Sequence, residues 1–155
     1  MSKKTLILAL GNPILGDDRV GLDMADLLAP ALGSGAVVLK KECVGGLDLL
    51  PQIEGYSRLI VLDAIKTGTS PPGTLCVLDL SDLTSSLRLS SPHDVNFATA
   101  LEVGRGMGMD MPEEVRIYAI EAADLKTFRE GLSPCVSAAV EPAVRKIISD
   151  YSSVS

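Results

Sequence analysis

Residues 6–21 have the sequence LILALGNPILGDDRVG, which joins an apolar run to a polar turn and then to a new apolar pattern. The run at residues 6–10 is continuous and of strand length, as in strands that are buried on both faces of a parallel sheet. A helical spacing of apolar side chains follows, at Val20, Met24, Leu27, Leu28 and Ala31. Pro30 and two nearby glycines end it, and a second apolar run occupies residues 36–39. The opening sequence therefore predicts a β-α-β unit.

Three more strands are expected farther along the chain. An apolar run at residues 59–62 predicts the third strand, and a short apolar pattern at residues 47–53 predicts the crossover helix before it. Residues 74–80 predict a fourth strand and residues 115–120 a fifth. The link before the fourth strand contains Pro71-Pro72-Gly73 and is too short for a helical crossover. The fourth strand is therefore expected to run antiparallel, at an edge of the sheet.

Two helices complete the pattern. Ser91-Pro92-His93-Asp94 combines an N-cap serine, a proline at the first helical position and an acid three residues after the serine. Ser133-Pro134 opens the last helix, in which Pro142 is expected to cause a kink or a split. The resulting order, β-α-β-α-β-β-α-β-α, predicts an α/β fold: a three-layer α/β/α sandwich around a mainly parallel five-stranded sheet.

Length and composition limit the class of protein. The chain has 155 residues and no long flexible linker, so we expect one domain over residues 1–155. Its apolar runs are too short for a membrane span. The apolar run near the start is also too short for a signal peptide, which predicts a cytoplasmic location. A net charge of -6 without a basic cluster predicts that nucleic acid is not a partner.

The cysteines predict reduced thiols. Cys43, Cys76 and Cys135 are odd in number and widely spaced, so they form neither a CxxC redox pair nor a zinc-ligand pattern. Unpaired cysteines of this kind are typical of a reducing compartment.

Candidate metal ligands follow the strands. Ligands of open α/β sheets bind beyond the carboxyl ends of the strands. Asp17 and Asp18 lie in the turn after the first strand, Asp63 comes directly after the third, and His93 opens the helix after the fourth. A helix N-terminus disfavours the charged imidazolium, which keeps the ring able to bind metal. Two carboxylates and one imidazole suit a divalent ion of the nickel or zinc type.

Each of these residues also has a simpler structural interpretation. An aspartate before a helix can cap its N-terminus, although one cap leaves the other aspartate unexplained. Asp63 could cap a turn towards residues 66–68, and His93 could be a polar residue on a helix surface. An acid directly after an apolar strand is costly unless it has a partner. Together, the three positions favour the metal site over three separate structural roles.

Two other motifs are weaker. The glycine spacing from Gly11 to Gly16 is similar to a phosphate loop, but Asp17 and Asp18 stand where a lysine and a hydroxyl are needed. This excludes a nucleotide phosphate there. A nucleophile pair of Cys43 with His93 stays open, because Cys43 follows the second strand, although nothing near it indicates an activated thiolate.

Five motifs run in one order through nearly the whole chain. They are Gly11-Asn12-x-x-x-x-Asp17-Asp18-x-x-Gly21, Val61-Leu62-Asp63-Ala64, Pro72-Gly73-Thr74, Ser91-Pro92-His93, and Gly131-Leu132-Ser133-Pro134 with Glu141-Pro142. In this order the chain resembles the hydrogenase maturation endopeptidase family. The first, second and fourth motifs are specific in combination.

The resemblance implies a protease that removes a short C-terminal extension from the large-subunit precursor of a nickel-iron hydrogenase after nickel insertion. It places the family's metal-contacting positions at Asp18, Asp63 and His93, with Asp18 as the expected catalytic residue. It also implies that the divalent metal is nickel, supplied by the substrate and held there by the substrate's cysteines. The metal would serve recognition and could act as a Lewis acid. We expect a monomer that docks transiently on this partner.

Two positions differ from the family pattern. Many members carry a Gly-Gly pair after the second strand, where this chain has Glu42-Cys43 before Val44, so the loop that faces the substrate is expected to differ. Arg19 stands where glycine is common and is expected to pair with Asp17 or with an acidic substrate.

Two alternative functions are kept. A receiver-like signalling domain also has an acid pair after its first strand and an aspartate after its third. Here the pair lies far beyond the strand, and Glu121-Ala122-Ala123 stands where a receiver has lysine-proline. The other alternative is a non-proteolytic, nickel-sensing chaperone of the same large subunit.

Overall fold

The computed structural model describes residues 4–33, 37–43, 46–85 and 92–154. Its strands are β1 (Thr5–Leu10), β2 (Val37–Glu42), β3 (Arg58–Ile65), β4 (Leu75–Asp79) and β5 (Glu114–Glu121). Its α-helices are α1 (Val20–Leu28), α2 (Leu50–Ile53), α3 (Leu80–Ser85), α4 (Pro92–Gly106) and α5 (Pro134–Val154). Short 3-10 turns at Gly16–Arg19, Ala29–Ala31 and Gly46–Leu49 complete the order.

The five strands form one mixed sheet in the order β2-β1-β3-β5-β4. β1 pairs in parallel with β2 and β3, and β3 pairs in parallel with β5. β4 pairs antiparallel with β5 at the edge, as the short link before it predicted. The predicted fold class is confirmed.

The core lies on both faces of the sheet because neighbouring residues of a strand point to opposite sides. On one face, Leu6, Leu8 and Leu10 pack in a buried cluster with residues of α2 and α4. On the other face, Ile7 and Ala9 pack with residues of α1 and α5. The sheet is thus the middle of three layers.

Several expected boundaries were wrong. β3 continues to Ile65, so Asp63 lies within the strand and not after it. β2 continues to Glu42 and is half-exposed at the edge of the sheet, although its apolar run predicted burial on both faces. α3 (Leu80–Ser85), which follows β4 directly, was not predicted from the sequence.

The last helix is not split at Pro142, and the other expected effect of this proline, a kink, stays a prediction. α5 is one element of 21 residues, and Pro142 is exposed on its surface. The buried side chains Val136, Val140, Val144 and Ile147 lie on both sides of the proline and pack in one cluster. Burial of this stripe therefore holds both halves in a single helix despite the missing N–H.

None of the helices in the described part of the chain is long and apolar enough to cross a membrane.

Candidate active site

The two glycines of the first motif allow the turn after β1 to pack on the strand ends. A Cβ atom on Gly11 would lie 2.3 Å from the backbone oxygen of Asp18, and a Cβ on Gly21 would lie 2.4 Å from that of Leu62. Neither position accepts a side chain without movement of the backbone. The spacing Gly11-x9-Gly21 therefore brings the 3-10 turn that carries both aspartates against the ends of β1 and β3.

The loop that precedes Asp18 holds it at the carboxyl ends of β1 and β3. Its side chain is buried, with 7% exposure, and its Oδ2 accepts a hydrogen bond from the backbone N–H of Asn12 at 2.9 Å. The Asn12 side chain in turn accepts the N–H of Ile14 at 3.2 Å. The motif thus builds a closed turn whose backbone orients the Asp18 carboxylate.

Asp63, on the neighbouring strand β3, lies at the same end of the sheet as Asp18. It is fully buried, and its Oδ1 accepts the N–H of Ala64 at 2.8 Å. The parallel register pairs Leu62 with Ala9, so Asp63 lies level with the end of β1. The structure therefore brings Asp18 and Asp63 to one end of two adjacent parallel strands, as the sequence predicted.

Asp17 has a different role from its neighbour. It is fully buried, and it does not cap a helix: the turn at residues 16–19 has no side-chain cap. Its carboxylate accepts four hydrogen bonds, from the N–H groups of Ala123 (2.9 Å), Asp124 (3.0 Å) and Ser133 (2.7 Å) and from the Ser133 hydroxyl (2.8 Å). Asp17 therefore fastens the segment between β5 and α5 to the turn that carries Asp18. The capping interpretation of this residue was wrong.

Arg19 pairs with Asp23, one helical turn away. Its Nε and Nη2 donate to the two carboxylate oxygens at 3.0 and 3.1 Å. This hydrogen bond is the main cause of the raised Arg19 pKa. The expected pairing of Arg19 with Asp17 was wrong.

Glu121, the last residue of β5, was not predicted as a site residue. It is 1% exposed, and its carboxylate accepts the Thr67 hydroxyl at 2.5 Å and the Thr67 N–H at 2.9 Å. It thereby holds the loop after β3. The available signal was an acid at the end of the apolar run at residues 115–120, the same signal that identified Asp63.

His93 is the second residue of α4, which begins at Pro92 as predicted. The His93 side chain lies outside the part of the chain whose side chains are described. Among the described residues, no group of three His, Cys, Asp or Glu side chains is placed to hold a metal ion. The set of Asp18, Asp63 and His93 stays a prediction, with its two carboxylates at the same edge.

Comparison with known proteins identifies the family. A family model described as hydrogenase maturation protease matches residues 43–150, which is more than half of the chain. The chain belongs to the hydrogenase maturation protease family. The match begins after the first aspartate motif, so the model covers Asp63 and His93 but not Asp18.

Similar proteins agree with this family. The hydrogenase 2 maturation protease of Escherichia coli is 26% identical over 94% of this chain and 88% of its own length. The solved structure of the E. coli hydrogenase maturating endopeptidase HybD has a TM-score of 0.82 and 25% identity, covering 97% of this chain and 93% of that one. A hydrogenase 2 maturation peptidase from a Thaumarchaeota archaeon has a TM-score of 0.69 and 26% identity, covering 97% and 99%. This chain is accordingly an endopeptidase of the hydrogenase maturation type.

The sheet of this maturation protease differs from that of a receiver domain. Receiver domains have strand order 2-1-3-4-5, whereas here β5 lies between β3 and an antiparallel β4. The residue that ends β5 is Glu121, which is bound to Thr67 and occupies the place of the receiver's lysine. The comparisons support neither the receiver-like nor the chaperone alternative.

The cysteines of the maturation protease are free thiols, as expected. Cys43 is exposed just beyond the end of β2, so it is not a core residue, and its pairing with His93 stays untested. Cys76 is half-buried on β4, where burial raises its thiol pKa and the nearby Glu121 adds to that effect.

Proposed function

We propose that this protease removes the C-terminal extension of a nickel-iron hydrogenase large-subunit precursor after nickel has been inserted. The observation that carries the proposal is the placement of Asp18 and Asp63, from two motifs far apart in sequence, at the ends of adjacent strands. The family of the chain supplies the reaction class.

The donor set fits a divalent metal. Two carboxylates at one edge, joined by the imidazole of His93, are ligands that nickel or zinc accepts. α4 is followed by β5, which begins at the amino ends of the parallel strands, away from the two carboxylates. The 15 residues of α4 span about 22 Å. This direction supports a place for its first turn near Asp18 and Asp63. The nickel belongs to the substrate, whose cysteines hold it, and when bound it would polarise the scissile carbonyl.

Asp18 is the proposed catalytic residue. Hydrolysis of a peptide bond consumes one water: its oxygen bonds to the carbonyl carbon, the C–N bond breaks, and one of its protons must reach the leaving amine. A carboxylate that a backbone N–H holds in one orientation is suited to accept this proton and pass it on. The backbone N–H groups of Asn12 and Ala64 fix Asp18 and Asp63, so neither carboxylate must reorganise when substrate arrives.

The partner in this proposal is the large-subunit precursor, which binds the protease transiently and is cleaved once. We propose a cytoplasmic monomer that docks transiently on the precursor, without nucleic acid or membrane as a partner. A net charge of -6 favours solubility and disfavours polyanions.

The test uses the purified protein with the precursor of a large subunit from the same organism, in nickel-loaded and nickel-free forms. Intact mass spectrometry follows the C-terminus of the precursor. Loss of the tail from the nickel-loaded form alone is the expected result. A stable complex without cleavage would contradict the protease function, and equal cleavage of both forms would contradict the role of nickel.

A further inference from the structure

The last sequence motif, Gly131-Leu132-Ser133-Pro134, contacts the 3-10 turn of Gly16–Arg19, which we call the aspartate turn. Ser133 is buried and donates to both carboxylate oxygens of Asp17. Its backbone N–H donates to Oδ1 at 2.7 Å, and its hydroxyl donates to Oδ2 at 2.8 Å. Two donors from one residue fix the plane of the Asp17 carboxylate.

Ser133 is itself held in place from two sides. An Nη2–H group of Arg129 donates to Ser133 Oγ at 3.1 Å, which leaves the hydroxyl proton directed at Asp17. The Ser133 carbonyl accepts the Ser137 N–H at 2.8 Å, the hydrogen bond with which α5 begins. Because α5 packs along the sheet over most of its length, its first residues are a rigid support for Asp17.

The aspartate turn connects Asp17 to Asp18. The two residues are consecutive, so a displacement of the Asp17 backbone also displaces Asp18. The Asp17 N–H donates to the Asp124 carbonyl at 3.0 Å, in the segment that Asp17 also binds through its carboxylate. On the other side, a Cβ on Gly11 would lie 2.3 Å from the Asp18 carbonyl oxygen. Asp18 therefore lies between a close contact with Gly11 and the anchor that Ser133 provides.

We propose that Ser133 is a positioning residue for peptide hydrolysis: through Asp17, it fixes the orientation of the Asp18 carboxylate. This inference rests on the proposed function, because Asp18 is the group that moves the proton there. A reacting group that is misplaced by about 1 Å can lose about a hundredfold in rate. Binding of a large substrate depends on other surfaces, so Ser133 should affect kcat and not KM.

Three variants test this role. Ser133→Ala removes the hydroxyl and keeps the backbone N–H, so it weakens the contact with Asp17 at less risk to folding than Asp17→Asn. Ser133→Thr keeps the hydroxyl and is the conservative rescue. Tyr118→Phe is the matched control, because it also removes a hydroxyl that donates to a carboxylate, that of Asp150, at 2.7 Å. Asp150 lies about 25 Å along α5 from Ser133.

The kinetics of tail removal are measured with the nickel-loaded precursor, at a temperature where circular dichroism shows each variant folded. For Ser133→Ala we expect kcat to fall about tenfold, with KM within about twofold of wild type. Ser133→Thr and Tyr118→Phe should keep kcat within about twofold of wild type. Unchanged kcat in Ser133→Ala, an equal fall in either of the other variants, or a rise in KM alone would overturn the positioning role.

Hydrogen exchange, followed by NMR, measures the same effect without substrate. In Ser133→Ala the Asp17 and Asp18 amides should exchange about tenfold faster than in wild type or Ser133→Thr, because the aspartate turn opens locally more often. The Leu8 amide in the buried strand β1 reports global unfolding and corrects for any change in overall stability. If the turn amides change no more than the Leu8 amide, Ser133 has no positioning role.

The two measurements separate this inference from the proposed function. If the wild-type protein cuts the precursor and Ser133→Ala does so with unchanged kcat, only the positioning role is wrong. If the wild-type protein does not cut any form of the precursor, the proposed function is wrong. Hydrogen exchange then still decides whether Ser133 fixes the aspartate turn.

Discussion

Charged side chains are placed differently at the two ends of the parallel strands, which we call the carboxyl edge and the amino edge. At the carboxyl edge, Asp17, Asp18, Asp63 and Glu121 are all buried, and backbone N–H groups and hydroxyls donate to them. At the amino edge, Arg58 and Glu114 begin β3 and β5 and form a direct ion pair at 2.7 Å, with the glutamate half exposed. One edge buries its carboxylates, and the other leaves its charges near water.

The proposed active site lies at the carboxyl edge, and this position accounts for the difference. A buried carboxylate is costly unless donors surround it, so burial at the carboxyl edge requires loops that aim their N–H groups inward. Those loops also fix where each carboxylate points, which is what a catalytic group needs. An exposed ion pair makes no such demand and contributes little to stability.

The largest effect should come from the two aspartates and the histidine of the proposed site. Asp18→Ala, Asp63→Ala and His93→Ala should each lower tail removal by at least about a hundredfold, because each loses a proton carrier or a ligand. Glu114→Gln, at the amino edge, is the control and should process at the wild-type rate. Intact mass spectrometry of the precursor gives both rates. Wild-type-like cleavage by two of the three alanine variants would show that the site assignment is wrong.

Asp17→Asn should cause the largest loss of stability. Both carboxylate oxygens accept backbone N–H groups, so either orientation of the amide turns its NH2 towards another donor. We expect the free energy of unfolding to fall by about 2–4 kcal/mol, since hydrogen bonds to a buried charge are lost and donors are left unpaired. Urea unfolding measures this change. A loss under about 1 kcal/mol would mean that Asp17 does not hold the two loops together.

Asp124 gives a pH-dependent test of the same loop. The Thr127 hydroxyl, followed by the backbone N–H groups of Lys126 and Thr127, lowers the pKa of the Asp124 carboxyl to about 2. Because the folded pKa is below the unfolded one, near 4, its stabilisation is present above about pH 4 and is lost as the pH falls towards 2. NMR titration of the side-chain carbon should show a midpoint near 2. In Asp124→Asn, stability should decline less between pH 4 and pH 2 than in wild type.

The smallest effect is expected at the amino edge. Arg58→Gln removes the ion pair with Glu114 and should lower the free energy of unfolding by about 0.5 kcal/mol, with less effect at high salt. Urea unfolding at two salt concentrations measures it. If Arg58→Gln lowered the free energy of unfolding as much as Asp17→Asn does, the amino edge would contribute as much to stability as the carboxyl edge.

Much of the fold followed from local sequence signals. The apolar run after Lys4 predicted a buried strand because its length and continuity are local properties. The short link before β4 predicted its antiparallel direction, since too few residues were available for a crossover. Boundaries were less certain: β3 runs two residues past Asp63, because pairing with β5 extends a strand beyond its apolar run.

For the candidate site, too, the sequence identified some of the residues and not others. Asp18 was identified through the family resemblance, and Asp63 also because an acid beside an apolar strand is costly without a partner. The topology then placed both at one edge. The role of Asp17 was not predicted, because its partners Ala123 and Ser133 are 106 and 116 positions away. Glu121 was overlooked because its partner Thr67 is 54 positions away. Local pattern contains no information about such contacts.

The sequence by itself determined the fold class, the family and the two carboxylates of the candidate site. Hydrophobic period, turn chemistry and motif spacing act over a few residues, so they can be recognised without the folded chain. Only the tertiary structure decided that β5 lies between β3 and β4 and that Asp17 binds the segment before α5. These features depend on hydrogen bonds between distant segments, which exist only once the sheet has brought those segments together.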